Sequence, residues 1–252
     1  MPTTIADKRC VAAVPDRQVP AAGAGEAGCA TPAGVLFDLD GLLVDTEQLG
    51  EMAERAVMDR LGSYVTPEEK TELLGCSMPR TVEILLARAE QPVPAAEVEA
   101  LLDEAMLNLV RQHGVRLLPG ARDLVAGVRK CGLPHALVTS TGLVVANEII
   151  ERAGLKFRVM VTGSDVKRAK PDPEPYETAA ALLGVAPRYC QALEDSRPGV
   201  ASAEAAGCKV IAVPSKVIAV PSDVPIGPAP GRTVVQSLLE LRATPRGVVL
   251  AC

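Results

Sequence analysis

Residues 34–41 read Gly34-Val35-Leu36-Phe37-Asp38-Leu39-Asp40-Gly41, an apolar run followed by two acidic residues and a glycine. An apolar run without polar alternation predicts a strand buried on both faces, as in a parallel sheet. Carboxylates at positions i and i+2 just beyond a strand can face the same cavity, and Gly41 can adopt a turn conformation that other residues rarely take. This stretch therefore predicts a sheet and the start of an active site.

Further strands and helices alternate along the rest of the chain. Apolar runs predict strands over 135–139, 158–162 and 209–213, and a weaker one over 190–193. Helical patterns fall between them, several closed by glycine, over 120–131, 142–153, 174–184 and 197–206. The order predicts an α/β fold with a Rossmann-like parallel sheet covered by helices on both faces.

Residues 47–117 interrupt this alternation. They contain helical periods over 47–61, 78–90 and 95–112 and no convincing strand, which predicts an inserted α-helical cap. Asp45 and Thr46 are predicted to cap its first helix, with contact to the active site as the alternative. The predicted domains are a flexible leader (1–31), an α/β core (32–46 and 118–242), the helical cap (47–117) and a tail (243–252).

Composition excludes several classes of function. The 252 residues include 26 basic and 31 acidic side chains, no tryptophan, two phenylalanines and three tyrosines. Without a basic run or stacking aromatics, a nucleic-acid partner is not expected. No stretch approaches the roughly 20 apolar residues of a membrane span, and no protein partner is evident. Seven cysteines without a CxxC pair indicate reduced thiols and a cytoplasmic protein.

Polar residues follow several predicted strands. In a parallel sheet the carboxyl ends of the strands meet at one edge, where ligands bind, so these residues are expected to converge. They are Asp38, Asp40, Thr139, Ser140, Lys170, Glu194 and Asp195.

This set of side chains favours phosphoryl transfer. Neighbouring carboxylates push their pKa values apart, so one of Asp38 and Asp40 can act as nucleophile while the other holds a proton. With Glu194 and Asp195 added, four acids would repel one another unless a cation is bound, and hard oxygen ligands suit Mg²⁺. Thr139 can donate a hydroxyl and Lys170 a charged group to phosphoryl oxygens.

Four segments closely resemble, in order, the signature motifs of the haloacid dehalogenase superfamily. The resemblance covers about 32–242 and is nearest to the branch of β-phosphoglucomutase and small sugar-phosphate phosphatases, which have a helical cap. The segments are 38–47 (DLDGLLVDTE), 138–141 (VTST), 169–173 (AKPDP) and 193–199 (LEDSRPG).

The resemblance implies a Mg²⁺-dependent phosphatase, a phosphoric monoester hydrolase that acts on a small phosphorylated metabolite such as a sugar or polyol phosphate. Asp38 would attack phosphorus and form an aspartyl-phosphate, and Asp40 would protonate the leaving alcohol and then activate water.

The resemblance also implies the binding residues. Mg²⁺ would be held by Asp38, the backbone carbonyl of Asp40 and Asp195, with Glu194 as a further or water-mediated ligand. Thr139 and Lys170 would bind the transferring phosphoryl group. Ser140 is a candidate for substrate binding, as is Arg80, which belongs to a possible specificity loop in the cap.

Three alternatives remain open. A sugar phosphomutase of the β-phosphoglucomutase type shares all four motifs, but its pattern commonly has histidine where this chain has Gly50. A haloacid dehalogenase would lack the second acid, Asp40. A non-catalytic binding module would be expected to have lost one of Asp38, Asp40, Lys170 or Asp195. A kinase is disfavoured because no phosphate-binding P-loop motif occurs.

Overall fold

The computed structural model describes residues 34–68, 73, 78–214 and 226–251, all within one compact unit. The predicted leader over 1–31 lies outside the described residues. The described strands are β1 (Gly34–Phe37), β2 (Val44–Asp45), β3 (Arg116–Leu117), β4 (His135–Val138), β5 (Val159–Val161), β6 (Cys190–Glu194), β7 (Lys209–Ala212), β8 (Arg232–Val234), β9 (Leu241–Thr244) and β10 (Gly247–Leu250). The longer helices are α1 (Glu47–Arg60), α2 (Met78–Leu86), α3 (Ala95–His113), α4 (Ala121–Lys130), α5 (Leu143–Ala153), α6 (Glu174–Leu183) and α7 (Arg197–Ala205).

A six-stranded parallel sheet forms the core, in the order β5-β4-β1-β6-β7-β8. The central strand β1 pairs with β4 on one side and β6 on the other. Its side chains alternate between faces, so Val35 and Phe37 belong to one hydrophobic cluster and Leu36 to another. The predicted α/β fold with a parallel sheet is confirmed.

Helices cover both faces of this sheet. The cluster around Phe37 includes buried residues of α4 and α5, such as Val128 and Ile149. The cluster around Leu36 includes residues of α6 and α7, such as Tyr176 and Ala203. Apolar strands sandwiched in this way need no polar face, which explains their sequence pattern.

Residues 47–113, here called the helical insertion, lie between β2 and β3. Its described residues include α1, α2 and α3, which share a hydrophobic cluster containing Met58, Leu85 and Leu102. The short strands β2 and β3 pair antiparallel, so the chain enters and leaves the insertion side by side. This ribbon was not predicted, because two residues per strand leave no periodicity to read. None of the described helices is long and apolar enough to cross a membrane.

The C-terminal residues differ from the predicted tail over 243–252. Strands β9 and β10 form an antiparallel hairpin, and Val248 is buried in the core. The side chain of Gln191 in β6 donates to the carbonyl of Val248 (2.9 Å) and accepts from its N–H (2.7 Å). Residues 238–240, just before the hairpin, form one 3₁₀ turn. Tertiary contacts, rather than a local pattern, order this hairpin.

Candidate active site

The two acidic residues after β1 lie on a tight turn. The N–H of Asp38 pairs with the carbonyl of Leu193 in β6 (3.1 Å), so Asp38 extends the strand by one position. The chain then turns at Gly41, whose φ is +79°. A side chain at position 41 would collide with the Asp195 carboxylate. Glycine therefore allows the turn that carries Asp38 and Asp40 to lie directly against the residues following β6.

Lys170 lies at the centre of the site and is buried. Its Nζ donates to Asp38 Oδ1 (2.5 Å), Glu194 Oε1 (2.6 Å) and the carbonyl oxygen of Val138 (3.0 Å). An ammonium group has three donors, and these three acceptors follow or end β1, β6 and β4. The lysine therefore joins the carboxyl ends of the three central strands, as the sequence predicted.

Glu194 is fully buried, and both of its carboxylate oxygens are hydrogen bonded. Oε1 accepts from Lys170 and from the Tyr176 hydroxyl (2.6 Å). Oε2 accepts from the backbone N–H groups of Asp195 (3.2 Å) and Ser196 (3.3 Å), and from the Ser196 hydroxyl (3.1 Å). Glu194 thus fixes the lysine on one side and the start of α7 on the other.

Three threonine hydroxyls surround Asp40. Oδ1 accepts from Thr46 (2.6 Å), and Oδ2 accepts from Thr141 (2.7 Å) and Thr139 (3.2 Å). Thr46 occupies the N-cap position of α1, as predicted, but its hydroxyl donates to Asp40 and makes no hydrogen bond to the helix backbone, so its side chain belongs to the site. The Asp40 carboxylate is thereby held in one orientation at the carboxyl ends of the strands.

The electrostatics of the buried groups follow from their packing. Burial raises the pKa of Asp38 well above its usual value, and Glu194 and Asp40 add to this, against the lowering effect of Lys170. Burial likewise raises the pKa of Asp195, with the charges of Asp38 and Glu194 contributing. Burial alone would lower the pKa of Lys170, but Asp38 and Glu194 outweigh it and raise this pKa, so the ammonium form is retained.

A divalent cation fits this arrangement. Asp38, Glu194 and Asp195 are buried, and each offers a carboxylate oxygen within 4.8 Å of the others. One lysine ammonium does not balance three carboxylates, and burial raises the pKa of Asp38 and Asp195, which penalises their ionised forms. A hard cation bound to these oxygens would remove that penalty.

A cavity of about 560 Å³ lies between the sheet edge and the helical insertion. It is lined on the sheet side by Asp38, Asp40, Thr139, Ser140, Lys170 and Asp195, and on the insertion side by residues of α1, α2 and α3. Among the described residues that line it, Lys170 is the only lysine or arginine. The cavity can therefore hold a small molecule with its phosphate at the sheet edge.

Arg80 is placed elsewhere. It does not line the cavity; its side chain is half exposed and pairs with Glu83 at 2.8 Å. Residues 74–77 of the possible specificity loop lie outside the described residues. Ser140, in contrast, lies at the cavity wall next to Thr139.

Comparison with known proteins agrees with this geometry. The family described as haloacid dehalogenase-like hydrolase matches residues 35–213, which include the sheet-edge acids, Lys170 and the helical insertion. The chain belongs to this family.

Relatives within the haloacid dehalogenase-like hydrolases include named phosphatases. Hexitol phosphatase A of Escherichia coli (strain K12) is 39% identical over 182 residues, covering 71% of this chain and 82% of the relative. Phosphorylated carbohydrates phosphatase of Thermotoga maritima is 32% identical over 179 residues, covering 70% and 82%. A crystal structure of CbbY from Rhodobacter sphaeroides in complex with phosphate superposes with a TM-score of 0.74 at 28% identity, covering 83% of this chain and 96% of CbbY.

Some residues of this haloacid dehalogenase-like hydrolase site were not predicted. Tyr176 occupies a buried helical position, a pattern that favours an ordinary core residue. Thr141 follows Thr139 at i+2, and that repeat was the available signal that a second hydroxyl faces the same cavity. Asp103 lines the cavity from α3, and no sequence motif marks it.

Proposed function

We propose that this chain is a Mg²⁺-dependent phosphatase that hydrolyses a phosphomonoester of a small sugar or polyol through an aspartyl-phosphate on Asp38. One observation carries the proposal: Asp38 and Asp40 open together onto the cavity, with the buried Lys170 ammonium against Asp38. The activities named for hexitol phosphatase A and for the Thermotoga phosphatase support the substrate class.

In the first step, a carboxylate oxygen of Asp38 attacks phosphorus, and the bond from phosphorus to the leaving oxygen breaks. The leaving oxygen takes a proton from the Asp40 carboxyl group and departs as an alcohol. Hydroxyl groups of Thr46 and Thr141 orient Asp40 for this transfer. Lys170, already at Asp38, lies where it can stabilise charge on the phosphoryl oxygens.

In the second step, water attacks the phosphorus of the aspartyl-phosphate. Asp40, now a carboxylate, takes a proton from this water, inorganic phosphate leaves, and the Asp38 carboxylate is restored. Thr139 and Ser140 line the cavity next to Asp40 and are the proposed neutral donors to the phosphate. One pair of acids thus serves both halves of the reaction.

Mg²⁺ is the proposed cofactor. Asp38, Asp195 and the backbone carbonyl of Asp40 would hold it, with Glu194 as a further or water-mediated ligand, consistent with the buried cluster of three carboxylates. When bound, the ion would neutralise charge on the phosphate oxygens. Because Glu194 already accepts hydrogen bonds on both oxygens, its proposed part includes holding Lys170 as well.

The helical insertion is the proposed cap and would move to admit substrate and then exclude bulk water. The predicted cap over 47–117 also included residues 116–117, which form β3. Gly50 on α1 lines the cavity, and nothing lies within 4 Å of the position that a Cβ there would take. This open space stands where the mutase pattern commonly has histidine. It favours transfer of the phosphoryl group from Asp38 to water over its return to a bound sugar.

The test is phosphate release from a panel of sugar, polyol and nucleoside monophosphates and p-nitrophenyl phosphate, with Mg²⁺ and with EDTA. We expect Mg²⁺-dependent release, fastest with sugar or polyol phosphates. No release from any compound, with β-glucose 1-phosphate instead converted to glucose 6-phosphate, would replace this proposal by a mutase.

A further inference from the structure

Asp103 lies on the insertion side of the cavity, opposite the sheet edge. It belongs to α3, which packs against α5 of the core. Its Oδ2 and Oδ1 atoms lie 3.0 and 3.4 Å from the position that a Cβ on Gly142 would take. Gly142 directly follows Thr141, whose hydroxyl donates to Asp40 at 2.7 Å. The Asp103 carboxylate therefore faces the part of the cavity next to the proposed proton donor, where the leaving alcohol must lie.

This carboxylate has no hydrogen-bond donor or cation from the protein among the described residues. It is only partly exposed. Burial raises the pKa of Asp103, and the charge of Glu99, one turn earlier on α3, raises it further. A partly buried acid without a donor costs free energy, which a bound ligand can recover by supplying donors. An ionised carboxylate accepts only, on two oxygens, so adjacent hydroxyl groups are well suited to it.

We infer that Asp103 determines specificity by accepting hydrogen bonds from hydroxyl groups of the leaving alcohol, so that the enzyme selects polyol and sugar phosphates over esters without hydroxyls. This inference rests on the proposed phosphatase function and adds the substrate feature that the cavity recognises. Asp103 takes no part in the bond-making steps, which belong to Asp38 and Asp40.

The test compares hexitol 1-phosphate with n-hexyl phosphate, two monoesters of six carbons that differ in the hydroxyl groups of the leaving alcohol. We expect Asp103→Leu to lower kcat/KM for hexitol 1-phosphate about 10- to 100-fold, the loss of one hydrogen bond to a charged acceptor. The value for n-hexyl phosphate should stay within about twofold, because no hydroxyl is recognised there. Asp103→Asn keeps one acceptor oxygen, so its kcat/KM for hexitol 1-phosphate should fall less than that of Asp103→Leu.

Glu104→Gln is the matched control, because Glu104 is the next residue on α3 but is exposed and pairs with Arg60 outside the cavity. It should leave both rates unchanged. Equal losses with both substrates in Asp103→Leu would mean that Asp103 only supports the packing of α3, and would overturn the inference; so would unchanged rates. If the wild-type enzyme releases no phosphate from any monoester of the panel with Mg²⁺, the proposed function fails and this inference fails with it. Release from other members of the panel, but not from hexitol 1-phosphate, would overturn this inference alone.

Discussion

Replacing Tyr176 by Phe removes one hydroxyl group beneath the site and leaves the aromatic ring in place. That hydroxyl donates to Glu194 Oε1 at 2.6 Å, the same oxygen that accepts from Lys170 at 2.6 Å. The lysine Nζ also lies 5.2 Å from the centre of the tyrosine ring. Tyr176 thus contacts both partners of a buried ion pair, and burial and the Glu194 charge raise its pKa, which keeps the phenol protonated as a donor.

The magnitude follows from these contacts. A hydrogen bond to a buried charged acceptor contributes about 1.5–3 kcal/mol, so Tyr176→Phe should lower Tm by about 3–12 °C for a chain of this size. Lys170 keeps its contacts with Asp38 and Val138, so substrate binding should persist. Because Glu194 orients the lysine less firmly, kcat should fall about 10-fold with KM nearly unchanged.

Thermal unfolding monitored by circular dichroism, together with steady-state phosphate release, measures both effects. Tyr189→Phe is the control, because it removes the same hydroxyl group from a ring that packs against Arg188. Tyr189 precedes the amino end of β6, whereas Glu194 ends the strand at the active site. It should alter neither Tm nor kcat. A Tyr176→Phe enzyme with wild-type kcat would refute the view that Tyr176 positions Lys170, and a change in KM alone would point to a role in substrate binding.

Three further predictions concern other buried groups. Asp40→Asn should lower kcat about 10²–10⁴-fold with alkyl phosphates, because no proton reaches the leaving oxygen, and a smaller loss with p-nitrophenyl phosphate, whose leaving group needs less protonation, would support that role. Gly199→Ala should destabilise the protein in urea unfolding, because a Cβ at this position would collide with the Glu194 carboxylate; unchanged stability would contradict the packing described for Glu194. Burial raises the pKa of Cys190 to about 11 and of Cys208 to about 12, so at pH 8 about one molecule in a thousand or fewer carries either thiolate. Native protein should therefore resist alkylation at both sites, as read by peptide mass spectrometry, and rapid labelling would show that these thiols are accessible.

The sheet was readable from sequence because its strands are buried on both faces. Such strands are short apolar runs, and helices ending at glycines such as Gly154 and Gly184 separate them; both glycines have positive φ in the structure. The convergence of Asp38, Lys170 and Glu194 followed from the polarity of parallel strands alone.

The remaining features depend on three-dimensional neighbours. Tyr176 has the spacing of a core residue, and only its hydroxyl, which meets Glu194 across the fold, gives it a polar role. Asp103 is one acid among several on α3, and its position becomes informative only where α3 meets α5. The C-terminal hairpin gains its order from Gln191, some 57 residues before its partner Val248. No local period encodes such contacts.

The central claim is that Asp38 carries the phosphoryl group during turnover. The most direct test is acid quenching of the enzyme during hydrolysis of a hexitol phosphate with Mg²⁺, followed by peptide mass spectrometry. We predict one phosphoryl group on the peptide containing Asp38, and none in Asp38→Asn, which should be folded but inactive. Full turnover by Asp38→Asn, or a phosphoryl group on any other residue, would contradict the account.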